Sequence, residues 1–121
     1  MRIEDVIKRR AEERAAVIEG LRAYSERLRA RLGGISVVLF GSYARGDFNL
    51  WSDVDVIVVS SRFKGVEFVK RCLELMDAPP KVEPICWTPE EALEMLAKPS
   101  WREALEFVRD GAVIGLGSGS T

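Results

Sequence analysis

Three short runs of mainly apolar residues, rich in β-branched side chains, set the architecture that this chain can adopt. They cover residues 35–40, 54–59 and 82–87, and runs of this length between turn-forming residues are typical of buried strands. Pro84 lies in the third run, and because proline cannot donate a hydrogen bond to a sheet ladder, it predicts an edge or irregular strand. The chain is therefore expected to build its core on a small sheet.

Helical patterns occupy the segments around these runs. Apolar residues recur there every three or four positions, and Gly, Pro or capping residues mark the ends. The predicted helices cover residues 3–32, 65–76, 88–97 and 100–108. Residues 111–114 are expected to add a short strand, and residues 115–121 to form a flexible tail. Because strands and helices alternate, we predict an α/β or α+β fold in which helices flank a small mixed sheet.

Length and charge narrow the function classes. The 121 residues suffice for one hydrophobic core, so a single domain over residues 1–121 is expected. The formal net charge of −1 disfavours an extended nucleic-acid footprint, which usually needs a basic domain. No apolar run approaches the roughly 18 residues of a membrane span, and the N-terminus lacks a signal-peptide pattern, so a cytoplasmic protein is expected. The absence of Gln and the single Asn favour a thermophilic source.

The chain contains no histidine, and this restricts the chemistry that it can perform. Ser-His-Asp triads, Cys-His dyads and His-ligated zinc are excluded. The two cysteines, Cys72 and Cys86, lie in apolar surroundings without metal-ligand spacing, so they are expected to be small buried side chains in a reducing compartment. Any catalysis must rely on carboxylates, metal ions and backbone dipoles.

A glycine and a serine follow the first predicted strand, where a short helical turn is expected to begin. Gly41 allows the backbone to approach an anion without a Cβ in the way, and the Ser42 hydroxyl adds a donor. Such a turn suits a phosphate group, although an ordinary turn is the alternative. Arg45, three residues on, is expected either to neutralise phosphate or to fix the turn by pairing with Asp47 or another carboxylate.

Two acids, Asp53 and Asp55, stand at the mouth of the second predicted strand. Because side chains alternate along a strand, residues two apart lie on one face, where both carboxylates can bind one divalent ion. Two exposed acids in a solvated turn are the alternative. Glu83, in the next predicted strand, is the candidate third acid for a two-metal phosphoryl-transfer site, unless it lies on the solvent face of an edge strand.

The combined pattern resembles that of minimal nucleotidyltransferases of the DNA polymerase β-like superfamily. Gly41 and Ser42 precede Asp53 and Asp55 with ten residues between the two pairs. The resemblance implies transfer of a nucleoside monophosphate from an NTP to a hydroxyl group with two Mg²⁺ ions, the expected nucleotide being AMP from ATP. It further implies that Gly41 and Ser42 contact the β- and γ-phosphates and that the three acids bind metal.

Two aromatic residues, Phe48 and Trp51, interrupt the loop between these pairs and are expected either to stack on the base or to serve in the core or as a lid. The resemblance further implies a partner that brings the acceptor, because the chain is too short for an acceptor-binding domain. The expected partner is a small helical HEPN-domain protein, which an antitoxin of this kind neutralises by adding AMP to a tyrosine. A non-catalytic binding antitoxin and a small-molecule (antibiotic) nucleotidyltransferase are the alternatives, and homodimerisation is the competing use of an exposed apolar patch.

Overall fold

The computed structural model describes residues 2–49, 52–75, 78–101 and 113–116. The helices are α1 (Ile3–Leu32), α2 (Ser42–Arg45), α3 (Phe68–Arg71) and α4 (Pro89–Leu96). The strands are β1 (Ile35–Phe40), β2 (Val54–Ser60), β3 (Val82–Trp87) and β4 (Val113–Leu116). Short 3₁₀ segments occupy Ser61–Phe63, Cys72–Leu75 and Pro99–Trp101. None of the helices in these ranges is both long enough and apolar enough to cross a membrane.

The four strands form one mixed sheet in the order β3-β2-β1-β4. β1 runs antiparallel to both of its neighbours, whereas β2 and β3 are parallel. β3 ends the strand order, so Pro84 lies in an edge strand, as its missing N–H predicts. The predicted fold class, a small mixed sheet flanked by helices, is confirmed.

Both faces of the sheet are covered, which explains why the central strands are apolar almost throughout. On one face, Tyr24 and Leu28 of α1 pack over Val56. On the other face, Ile57 packs with Trp87 and with Ala92 of α4. Alternate residues of β2 therefore enter different cores, which is typical of a strand buried on both faces of the sheet.

Two elements differ from the sequence-based prediction. Gly115 and Leu116, expected in a tail, belong to β4, where they pair with Val37 and Ser36. This pairing gives hydrogen-bond partners to the side of β1 that does not face β2. The rest of the predicted tail, and residues 102–108 of the last predicted helix, lie outside the described residues. The predicted helix over 65–76 is a single α-helical turn, α3, followed by a 3₁₀ segment.

The buried side chain of Arg71 anchors the C-terminal end of the short α3. Its guanidinium donates to the carbonyl oxygens of Val66 and Cys86 and pairs with the carboxylate of Glu91. These bonds tie the segment to β3 and α4 at its C-terminal residue, so apolar periodicity alone does not determine how the segment packs. Phe68, at the start of α3, is about half exposed.

Candidate active site

Gly41 connects β1 to α2 in a conformation that only glycine tolerates well. Its φ is +77°, and a Cβ at this position would lie 2.5 Å from Oδ2 of Asp55. Any larger residue would therefore strain the backbone and displace that carboxylate. Gly41, predicted to let the backbone approach an anion, also leaves the space in which the Asp55 carboxylate lies against the β1–α2 turn.

The four-residue helix α2 orients the turn that follows Gly41. The amides of Arg45 and Gly46 donate to the carbonyl oxygens of Gly41 and Ser42, and Gly46 ends the helix in the left-handed conformation. The first amides of a helix have no acceptor within it, so those of Ser42 and Tyr43 point away from α2 at its start. The predicted short helical turn is confirmed, and its opening amides lie beside the Ser42 hydroxyl.

Aromatic packing holds the loop after α2 in the core. The rings of Tyr43 and Phe48 stack with centroids 4.1 Å apart, and Phe48 is almost completely buried. Of the two roles left open for Phe48, the structure supports the core role, because a ring buried in this way has no face free for a base. Trp51 lies outside the described residues.

The acids at the mouth of β2 have different environments. Asp53 is exposed, just before the strand begins, and Asp55 is half-buried at its second residue. Burial raises the pKa of Asp55 above its usual value, the negative charge of Asp53 raises it further, and the Arg45 guanidinium opposes both effects. These two carboxylates repel one another at the partly buried start of β2. Their oxygen atoms are hard ligands of the kind that a divalent cation prefers.

Glu83 lies next to this pair without completing a metal cluster. It is directly opposite Asp55 in the parallel β2–β3 register, which places the two residues side by side on one face of the sheet. Glu83 is nevertheless exposed, and the described part of the chain contains no group of three or more His, Cys, Asp or Glu side chains arranged to hold a metal ion. Its assignment as the third acid stays a prediction.

A pocket of about 380 Å³ joins most of the predicted residues. It is lined by Phe40, Gly41, Ser42, Arg45, Asp55, Ser100 and Trp101. Asp53 and Glu83 are not part of this lining. Ser100 was predicted only as the start of the last helix, and no pattern in the sequence indicates Trp101 as a site residue.

Trp101 separates this pocket from a second cavity on the same face of the sheet. Its ring packs against Phe40 at 5.3 Å and against Trp87 at 4.9 Å between centroids. The second cavity measures about 620 Å³ and is mainly apolar, with Phe68, Ile85 and Met95 among its lining residues. The pocket that contains the predicted residues is thus the smaller and more polar of these two cavities, and a larger apolar cavity lies next to it.

Arg45 acts within the turn as well as on the pocket. Its Nε donates to Oδ2 of Asp47 at 3.0 Å, and its charge acts on Asp55. The proposed pairing with Asp47 is therefore present, and contact with phosphate stays a prediction. A second arginine, Arg14 of α1, donates from Nε to the carbonyl oxygen of Tyr43 at 2.8 Å and from Nη2 to that of Ala44 at 3.3 Å.

Comparison with known proteins decides the family. Residues 21–107, most of the chain, match the family model described as "Nucleotidyltransferase domain". The chain belongs to the nucleotidyltransferase domain family. The matched range contains both β1 and β2, with the pocket between them, and the superfamily resemblance drawn from the sequence is confirmed.

Individual relatives of this nucleotidyltransferase domain agree with that membership. A Methanocaldococcus jannaschii protein named "Putative protein adenylyltransferase MJ0604" is 40% identical over 47 residues, which are 39% of this chain and 45% of that protein. The match thus spans less than half the length of that relative. A solved structure titled as a "putative nucleotidyltransferase" from Sulfolobus solfataricus superposes with a TM-score of 0.62 at 22% identity, over 70% of this chain and 78% of the other, and shows the shared fold.

Proposed function

We propose that this nucleotidyltransferase domain transfers AMP from ATP to a hydroxyl group on a protein. The observation that carries the proposal is the convergence of Gly41, Ser42, Arg45 and the half-buried Asp55 on one pocket. This pocket offers amide and hydroxyl donors for phosphate next to the Asp55 carboxylate for a cation. The name of the Methanocaldococcus relative supports a protein as the acceptor.

The proposed reaction assigns a role to each residue of the candidate site. Gly41 and Ser42 bind the β- and γ-phosphates, while Asp53 and Asp55, with Glu83 as the third acid, would hold two Mg²⁺ ions. These ions, when bound, supply charge neutralisation at the phosphates and activation of the acceptor hydroxyl. The acceptor oxygen bonds to the α-phosphorus, the bond from that phosphorus to the β-phosphate oxygen breaks, and pyrophosphate leaves. Glu83, beside Asp55, receives the hydroxyl proton.

The proposed acceptor is a tyrosine of a small helical HEPN-domain protein, which would make this chain an antitoxin. Exposed apolar side chains support a protein partner. Phe68, which lines the second cavity, is 52% exposed, and Leu73 and Leu93 are 63% and 77% exposed. Large apolar side chains left exposed on a small domain are typical of interaction sites when they lie close together. Homodimerisation would use the same type of surface.

A non-catalytic binding role is the second candidate, and one observation favours it. Glu83 is exposed and lies outside the pocket, and the described residues assemble no three-acid cluster. A chain that neutralises its partner by occupying it would not need such a cluster. The two roles differ in whether the partner leaves the complex covalently modified.

The test is incubation of the purified chain with Mg²⁺ and ATP, with and without the product of the neighbouring gene, followed by intact-mass spectrometry. We expect the mass of one AMP on the partner, located on a tyrosine by peptide fragmentation. A stable complex of unmodified proteins would instead support the binding role. Adenylylation of an aminoglycoside in the same assay, with no protein labelled, would favour small-molecule modification.

A further inference from the structure

The helix α2 is too short to be stable on its own. A four-residue helix fixes its backbone for very few internal hydrogen bonds, so its orientation must come from contacts with the rest of the molecule. Its first carbonyl oxygens are used locally, because the amides of Arg45, Gly46 and Asp47 donate to Gly41 and Ser42. The carbonyl oxygens of Tyr43 and Ala44 come next and need donors from elsewhere.

Arg14 supplies those donors from a distant part of the chain. Its Nε and Nη2 reach the carbonyl oxygens of Tyr43 and Ala44, 29 and 30 residues away in sequence. The guanidinium presents these N–H groups in a fixed planar arrangement, and a cation at carbonyl oxygens near a helix C-terminus is electrostatically favourable. Arg14 is partly buried, whereas residues 2–13 of the chain are all exposed. The contact therefore joins α1 to α2 directly after the exposed N-terminal part of α1.

We propose that Arg14 is a positioning residue for the phosphate-binding turn. By holding the C-terminal end of α2 against α1, it fixes the direction of the opening amides and of the Ser42 hydroxyl at the other end of the same helical turn. It lies outside the Gly-Ser and Asp pattern and does not line the pocket, so it acts only through α2. The proposal rests on the proposed function in so far as the turn binds the phosphates of ATP.

The first test measures Mg²⁺-ATP binding by calorimetry in three variants. We expect Arg14→Met to raise Kd about tenfold, equivalent to about 1.4 kcal/mol. Arg14→Lys keeps the charge but not the paired N–H groups, so its Kd should lie between those of wild type and Arg14→Met. The matched control Arg10→Met removes the same charge from an exposed position one turn earlier on α1, and its Kd should equal that of wild type.

The second test measures amide hydrogen exchange, which does not depend on any ligand. The amides of Arg45, Gly46 and Asp47 report the opening of α2, and those of β1 report the opening of the sheet. In Arg14→Met the α2 amides should exchange about tenfold faster while the β1 amides keep their wild-type rates. A variant that is generally destabilised would instead accelerate both sets.

The outcomes separate the role of Arg14 from the proposed function. Faster exchange confined to α2, with weaker ATP binding in Arg14→Met and partial recovery in Arg14→Lys, supports the positioning role. Wild-type exchange at α2, equal acceleration in α2 and the sheet, or wild-type binding in Arg14→Lys would overturn it. If the wild-type protein itself binds no Mg²⁺-ATP, the proposed function fails, and the exchange rates then decide alone whether Arg14 holds α2.

Discussion

At the residue scale, the site depends on a close approach between a backbone turn and a carboxylate. Asp55 is held against Gly41, next to the charge of Asp53, and both its burial and that charge raise its pKa. When this carboxylate is ionised and no cation neutralises it, it lowers the stability of the folded protein. The geometry that suits a cation therefore lowers the stability of the free protein.

Replacing Asp55 by Asn should stabilise the metal-free protein and abolish transfer. A raised pKa in the folded state means that stability falls as pH rises from the usual aspartate value, about 3.9, through the folded pKa. The variant does not lose stability in this way. Its free energy of unfolding should therefore exceed that of wild type at pH 7, and the difference should shrink toward pH 3. Urea unfolding in EDTA at the two pH values measures the difference, and equal wild-type and variant stability at pH 7 would contradict it.

Gly41→Ala tests the close approach directly, and Gly46→Ala is its matched control. Both glycines have positive φ, +77° and +89°, but only a Cβ at position 41 meets Asp55, since nothing lies within 4 Å of one at position 46. Gly46→Ala should cost about 1 kcal/mol of backbone strain, and Gly41→Ala about 1–2 kcal/mol more. Combining Asp55→Ala with Gly41→Ala should recover part of the lost unfolding free energy, because it removes the carboxylate that the new Cβ meets. The same substitution should recover none of the backbone strain in Gly46→Ala. Equal unfolding free energies for the two glycine variants would contradict the assigned contact.

Glu83→Gln separates catalysis from nucleotide binding. Because Asp53 and Asp55 can hold the metal-triphosphate without it, the variant should bind Mg²⁺-ATP with wild-type affinity and lose transfer by at least about 100-fold, the usual range for a proton-transfer group. Since Glu83 is exposed, its unfolding free energy should change little. A wild-type transfer rate in this variant would place the third acid elsewhere.

Some residues of the site can be predicted from short-range sequence patterns, whereas others are identified only by their contacts in the folded structure. Gly41, Ser42 and the two aspartates lie within 15 residues of one another, so turn chemistry and strand alternation predict their proximity. Arg14 contacts α2 from α1, and Trp101 lines the pocket from the 3₁₀ segment after α4. No spacing rule links either residue to the Gly-Ser and Asp pattern. Their contribution depends on how helices pack on the sheet, which local pattern does not encode.

At the element scale, α3 and α4 are joined by one buried cation. Arg71 connects α3 to β3 and to Glu91, whose carboxylate also accepts from the Thr88 amide in the capping box that begins α4. The Thr-Pro-Glu-Glu start and the end of α4 were predicted from sequence because capping is local. The break after α3 was not predicted, because apolar periodicity gives no sign of the long-range bonds that Arg71 makes at that point.

Arg71→Met should therefore destabilise the fold and remove a specific pH dependence. Leaving Glu91 and the two carbonyl oxygens without this donor should cost about 1–3 kcal/mol, whereas the exposed control Lys70→Met should cost little. Hydrogen bonding from Arg71 is the largest cause that lowers the pKa of Glu91. That contribution is complete above the usual glutamate value, about 4.3, and is lost as pH falls through the folded pKa. The wild-type protein should lose more stability than the variant between pH 6 and about pH 3, and parallel pH profiles would contradict this role.

At the scale of the whole molecule, the structure is a nucleotidyltransferase sheet with a long helix, half of which is not used by the core. Residues 2–13 are exposed, while Leu21 and Leu28 are buried against the sheet. Sequence predicted the fold class because alternating strands and helices allow few architectures. It could not specify the acceptor, because the acceptor is recognised by surfaces whose partner is another molecule.

The most direct test of nucleotidyl transfer compares ATP labelled at the α-phosphate with ATP labelled at the γ-phosphate. The wild-type chain, Mg²⁺ and the partner protein are incubated with each, and Asp53→Asn is the negative control. Attack at the α-phosphorus predicts that only the α-label becomes attached to the partner, that the γ-label is recovered as pyrophosphate, and that the variant transfers neither. Transfer of the γ-label, or an α-label that persists in Asp53→Asn, would contradict the account.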